Sequence, residues 1–189
     1  IQKSLSPALH EEEARHHGVR LHYQLIDLDR SASSPEQLPT LLSAARIMGY
    51  AGCNVTYPCK QAVIPYLDSL SEEARAMGAV NTVVIRDGKL VGHNTDGSGW
   101  AWGFTRALPG ADLRRVVLLG AGGAGAAIAH AVLRLGAEHL SIVDAQPERA
   151  AQLAADVNAL YGARAEASDI QSAMAQATGL IHATPTGMD

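Results

Sequence analysis

Aromatic side chains are scarce: only 4% of the 189 residues are Phe, Trp or Tyr. That poverty fits an all-β sandwich badly and suits close helix-on-sheet packing, in which small residues let the layers approach. Cysteine is scarcer still, with Cys53 and Cys59 alone, six positions apart (59 − 53). They make no Cys-x-x-Cys pair and no disulfide framework, so a reducing, cytoplasmic setting is the simplest reading. A basic excess is also missing, since 15 Lys and Arg face 19 Asp and Glu for a net charge of −4. No basic block interleaves with aromatics, and nucleic acid is not an expected partner. No apolar run approaches the roughly 18 residues of a membrane span, and no basic-then-apolar signal segment opens the chain, so no membrane partner is expected. The stretch HEEEARHH lacks the His-Glu-x-x-His spacing of a zincin, because Ala14 stands where the second ligand belongs. No metal site is expected.

What is present is an ordinary globular balance, 47% apolar and 18% charged, rich in alanine and glycine. The first half mixes helices and strands. Helical patterns cover 5–18 (Ser6 as cap, Pro7 in the first turn), 34–49, 60–70 and 71–78 (Ser71 as cap), and strand patterns cover 21–29 and 52–57. Two further strands flank the Asp87-Gly88 turn, and a helix over 97–110 closes at Pro109 and Gly110.

Beyond it the texture changes to β-α-β-α-β-α-β with short links, starting with the continuous apolar strand RRVVLLG. The fold class is therefore α/β: an N-terminal α/β domain over 1–98, followed over 99–189 by a parallel, doubly wound dinucleotide-binding domain of Rossmann type, incomplete as it stands. The chain opens on Ile1 rather than methionine, and ATPTGMD follows directly on an apolar run. Both ends are those expected of a piece of a longer protein.

LLGAGGAGAAIAHAV places Gly120-x-Gly122-x-x-Gly125 after a strand and at the mouth of a helix. In that context the three glycines serve a tight turn, close backbone approach to a pyrophosphate, and helix-on-strand packing. Gly120, Ala121, Gly122, Gly123, Ala124 and Gly125 are thus candidate cofactor contacts. Asp144, at the end of the next strand, can accept hydrogen bonds from a ribose 2′-hydroxyl and would repel a 2′-phosphate. Arg149 follows five residues on, either near the same ribose or solvated on its helix. Thr184, at the end of the last strand-like run, joins the candidate cofactor contacts. NAD is favoured, and NADP stays open.

Lys60 ends the stretch NVTYPCK, after a strand and at the start of a helix. A helix N-terminus disfavours a cation, and by position alone this lysine points into water. Asp96 could cap the helix that follows it, and Asn81 could close a turn.

Taken together, KSLSPALH, NVTYPCKQAVIPYLD, GAVNTVV with GHNTDGSG, and GAGGAG resemble the shikimate dehydrogenase family, in particular its quinate/shikimate dehydrogenase branch. The resemblance implies reversible NAD(P)-linked hydride transfer at a ring hydroxyl of shikimate or quinate. It implies that Lys60 is the catalytic lysine and Asp96 the carboxylate that works with it. Ser4 and Ser6 would hold the substrate carboxylate, Thr56 would contact the substrate, and Asn81 would reach the ring hydroxyls. Tyr23 corresponds to a substrate-side tyrosine of some quinate-active relatives. Many NADP-dependent members carry Asn-Arg-Thr where this chain has Asp144-Ala145-Gln146, which again favours NAD. The resemblance further implies a strand before Ile1, and strands, helices and a substrate-binding glutamine after Asp189, so this chain alone is not expected to turn over. A monomer or homodimer is expected. Two alternatives stay open: a dehydrogenase of an aminated shikimate analogue, and a nucleotide-binding module without catalysis, which would need neither Lys60 nor Asp96.

Overall fold

Pro7 stands in the first turn of helix α1 (Ser6–His16), where its missing N–H leaves no hydrogen bond unmade. The computed structural model describes residues 1–31 and 34–186, and its backbone divides into two units, Ile1–Gly49 and Tyr50–Asp189. Residues 187–189, the end of the expected second domain, lie outside the described residues.

In the first unit, Ser6 is not the expected cap. Leu5 occupies the N-cap with helix-like dihedrals (φ −85°, ψ −3°), which puts Ser6 inside the helix. Ser4 Oγ accepts the Ser6 N–H instead, at 3.2 Å. The run 21–29, expected as a strand, forms no ladder: 21–27 are irregular and 28–31 turn. A strand needs a hydrogen-bonded neighbour, and this unit has none among its described residues. A side chain takes that place at Tyr23, whose N–H donates to Glu11 Oε1 at 2.9 Å. A 3-10 turn at Pro35–Gln37 leads into α2 (Leu38–Ile47), which buries Leu38, Leu42 and Ala45 on one helical stripe. Ser34 makes no side-chain cap there.

The second unit holds two four-stranded sheets. In the first, β1 (Gly52–Asn54), β2 (Ser69–Leu70), β3 (Thr82–Arg86) and β4 (Lys89–His93) lie in the order β1-β3-β4-β2. β1 and β4 run antiparallel to β3, and β2 runs parallel to β4. Asp87 and Gly88 turn the β3–β4 hairpin with φ of 53° and 74°, the paired left-handed geometry of a type I′ turn. The helix expected over 60–70 is broken. Only α3 (Cys59–Ala62) is α-helical, a 3-10 turn follows at Ile64–Tyr66, and the end of the segment becomes β2. Pro65 is the reason: it donates no bond to the carbonyl four residues back, and its ring collides with it. α4 (Glu72–Met77) is capped by Ser71, whose hydroxyl accepts the Ala74 N–H at 3.2 Å.

α5 (Asp96–Ala107) leads from the first sheet to the second. The second sheet comprises β5 (Arg115–Leu119), β6 (His139–Val143), β7 (Ala165–Ala167) and β8 (Gly179–His182), all parallel, in the order β7-β6-β5-β8. Its crossovers are α6 (Gly123–Arg134), α7 (Pro147–Tyr161) and α8 (Ile170–Met174). Val116, Leu118, Leu133, Leu140, Ile142 and Val157 form its core, each at most 1% exposed. The chain leaves β5 toward β6 and β7, then returns to place β8 on the other flank. The order reverses between β5 and β8, and open α/β sheets bind ligands beyond the strand ends at such a switch point.

Candidate active site

Lys60 follows buried Cys59 in α3, and its carbonyl accepts the Val80 N–H at 2.8 Å, tying the short helix to the segment before β3. Asp96 is the first residue of α5. Lys60 Nζ donates to Asp96 Oδ2 at 2.5 Å. The other oxygen, Oδ1, accepts from Asn81 Nδ2 at 2.8 Å. Asp96 therefore caps no helix; its carboxylate is shared between a cation and an amide.

The surroundings fix that arrangement. Asn81 Nδ2 also donates to Thr95 Oγ1 at 3.0 Å, and its Oδ1 accepts from the Thr95 N–H at 3.1 Å and from Thr82 Oγ1 at 2.9 Å. Asn94, 5% exposed, donates from Nδ2 to the Ala79 carbonyl at 3.1 Å and accepts the Asp96 N–H at 3.0 Å. Asp96 is thus held through its backbone by Asn94 and through its side chain by Asn81. Lys60 and Asp96 keep 28% and 32% of their side-chain surface in solvent, so a small molecule can reach them. An ion pair that exposed adds little to stability. Its elaborate support points to chemistry rather than to structure.

Thr56 is exposed, with its carbonyl accepting the Cys59 N–H at 2.8 Å. Ser4, Ser6 and Tyr23 belong to the first unit. Ser4 is exposed and Ser6 half-buried. The Tyr23 ring stacks on His10 with centroids 5.1 Å apart.

The glycine loop lies at the switch point. Gly120 has φ +100°, which admits glycine readily, and a Cβ there would stand 2.8 Å from the Ala183 carbonyl oxygen. A Cβ on buried Gly125 would fall 1.9 Å from the Gly120 oxygen, so helix and loop pass at backbone contact. Gly122 caps α6 without a side-chain bond, and neither Gly122 nor Gly123 would bring a Cβ within 4 Å of anything. The start of α6 thus has no side-chain cap and no neighbour where a Cβ of Gly122 or Gly123 would stand, which leaves room for a pyrophosphate at the helix N-terminus.

Asp144 closes the loop from β6. Its Oδ2 accepts the Ala121 N–H at 2.7 Å and its Oδ1 the Gln146 N–H at 2.9 Å. These amides, Ala121 first, hold its carboxyl below the usual carboxylate value, with Arg149 adding a smaller pull. Arg149 is exposed on α7, and Ala124 is exposed in α6. Thr184 lies against Gly120, with its methyl 3.1 Å from where a Cβ would sit, and its hydroxyl pairs with His182 Nε2 at 2.8 Å.

His182, Asn94 and Thr95 escaped the sequence reading. The signal for His182 is strand alternation, which puts residues 182 and 184 on one face. For Asn94 it is an Asn-x-Asp at a strand-to-helix turn, where asparagine bonds backbone two residues on. Among the described residues no three His, Cys, Asp or Glu side chains group to hold a metal ion. No helix among them is long and apolar enough to cross a membrane.

Residues 1–83 match the family described as the shikimate dehydrogenase substrate binding domain, and residues 115–188 match the one described as NADP oxidoreductase coenzyme F420-dependent. The whole chain aligns at 56% identity with a shikimate dehydrogenase (NADP(+)) of Streptomyces avermitilis, covering 66% of that protein. It aligns at 44% identity with a quinate/shikimate dehydrogenase (NAD(+)) of Corynebacterium efficiens, covering 68%. A solved structure of quinate dehydrogenase from Corynebacterium glutamicum in complex with NAD superposes with a TM-score of 0.91 at 43% identity, over 97% of this chain and 67% of that one. The chain thus spans about two thirds of the length of the curated relatives it matches.

Proposed function

The chain belongs to the shikimate dehydrogenase family, and we propose that it serves reversible, NAD(P)-dependent oxidation of a ring hydroxyl in shikimate or quinate. The observation that carries this reading is the 2.5 Å contact of Lys60 Nζ with Asp96 Oδ2, backed by Asn81 on the other carboxylate oxygen. A proton must leave the ring hydroxyl in one direction and return to the oxygen in the other. Lys60 moves that proton, and as an ammonium it steadies negative charge on the oxygen. Asp96 orients the lysine and accepts from a ring hydroxyl. Asn81 and Thr56 contact the remaining hydroxyls, Ser4 and Ser6 the carboxylate, and Tyr23 the substrate side. Residues 1–98 supply the substrate-binding part, and 99–189 the dinucleotide-binding part.

The dinucleotide, when bound, supplies or takes the hydride. Gly120, Ala121, Gly122, Gly123, Ala124 and Gly125 present backbone to its pyrophosphate, with Thr184 beside the loop. Asp144 receives the adenosine ribose, and Arg149 stands on the same side. NAD is the favoured cofactor, because the carboxylate of Asp144 is fixed by two amides where a 2′-phosphate would need a cation. NADP is the competing reading, since the relative at 56% identity is named for it. The free cysteines Cys53 and Cys59 support action in the cytoplasm; a monomer or homodimer is the expected assembly.

The deciding measurement is turnover of shikimate and quinate against NAD and NADP by the protein at its native length. Turnover with NAD and either acid is expected. Failure of both acids with both nucleotides would sink the reading.

A further inference from the structure

We propose that Asp144 is a positioning residue of the glycine loop, holding the Ala121 amide in place before any dinucleotide arrives, as well as a ribose ligand. The inference rests on the dinucleotide reading above and deepens it. Its ground is geometric. Both carboxylate oxygens are already engaged with backbone N–H groups, Oδ2 with Ala121 at 2.7 Å and Oδ1 with Gln146 at 2.9 Å. Ala121 is the second residue of Gly120-x-Gly122, the point at which the chain turns from β5 toward α6. Loop residues Gly122, Gly123 and Ala124 are exposed, and Gly120 itself lies at φ 100°, a backbone conformation that favours glycine. A backbone so rich in glycine loses much conformational freedom on ordering. Hydrogen bonds to a charged acceptor, stronger than neutral ones, supply the restraint that the loop sequence lacks.

Reading the ribose alone and clamping the loop differ in consequence. A pure ribose reader matters only when the nucleotide carries the 2′-hydroxyl. A clamp matters for every ligand of the loop, and for the loop without ligand. Asp144→Asn keeps one acceptor and turns an N–H donor toward the other amide; Asp144→Ala removes both acceptors.

The test has two arms on the purified protein at its native length. Amide hydrogen exchange at Ala121, without nucleotide, is expected to quicken at least tenfold in Asp144→Ala and less in Asp144→Asn, as loss of hydrogen bonds to a charged group predicts. Affinity is then measured with NAD and with its analogue lacking the adenosine 2′-hydroxyl. The clamp predicts that Asp144→Ala weakens binding of the analogue about tenfold or more, on the same scale. Unchanged exchange at Ala121, or an analogue bound equally by both proteins, overturns the proposal. The exchange arm needs no nucleotide: faster exchange in a native-length protein that binds neither compound would support the clamp and sink the dinucleotide reading, so the two failures are distinguishable.

Discussion

Lys60 and Asp96 are 36 residues apart in the chain, yet Nζ of one donates to Oδ2 of the other across 2.5 Å. Two helix starts achieve this. α3 stops after four residues, and α5 starts at Asp96 itself, where the hairpin β3–β4 hands the chain on. The contact is made off the strand ends, so the sheet sets its geometry while each side chain keeps part of its surface in solvent, 28% for Lys60 and 32% for Asp96.

Removing the lysine tests its role most directly. Lys60→Ala is expected to lower turnover by about 10²–10⁴-fold, the range for a positioned proton-transfer group. Dinucleotide affinity, read by fluorescence titration, should stay as it was, because the glycine loop is built from other residues. An unaffected rate would refute the assignment.

Asn94 should matter to stability as well as to rate. It is 5% exposed and serves the Ala79 carbonyl and the Asp96 N–H together. Asn94→Ala leaves both without their partner and is expected to cost about 1–3 kcal/mol, measured by urea unfolding. The same variant should slow turnover, since the backbone under Asp96 loses its anchor. Full stability would show that water replaces the side chain.

Gly125 tolerates no side chain. A Cβ there would lie 1.9 Å from the Gly120 carbonyl oxygen, which is backbone and cannot rotate away. Gly125→Ala is expected to cost at least about 1–3 kcal/mol, the range for overpacking, by pushing α6 off β5. It should also abolish nucleotide binding, while Gly123→Ala, in open space, should not alter stability.

Local chemistry was legible where a short stretch decides the backbone by itself. Asp87-Gly88 demanded its hairpin turn, Ser71 its helix start, and Gly120-x-Gly122-x-x-Gly125 its strand-to-helix loop. Illegibility began where a second segment decides. Residues 21–29 alternate as a strand does, but a strand exists only with a neighbour. The stretch 60–70 has helical periodicity, but Pro65 outweighs it and β4 recruits Ser69–Leu70. Ser6 has the chemistry of a cap, yet Leu5 already follows helical dihedrals. The pairing of Lys60 with Asp96 is of the same kind. No spacing rule reaches across 36 residues; from the sequence, only the family resemblance pairs them.

His130 carries the last prediction, a pH dependence of stability. It is 3% exposed on α6, with Nδ1 3.1 Å from the hydroxyl of Tyr161 at the end of α7 and the two rings edge to face. Burial pushes its pKa below the ordinary 6.5; Asp156 pulls it back upward, and Arg134 lowers it slightly further. The folded chain thus refuses a proton that the unfolded chain accepts. As pH falls through 6.5, the unfolded state gains that proton first, so stability drops until the folded-state pKa is reached and then levels off. Above 6.5 both states hold the ring neutral and the effect vanishes. His130→Gln keeps a polar partner for Tyr161 but cannot titrate. Urea unfolding at pH 7.5 and pH 5 is expected to show a larger loss for the native chain than for His130→Gln. Equal losses would place the acid sensitivity on other groups.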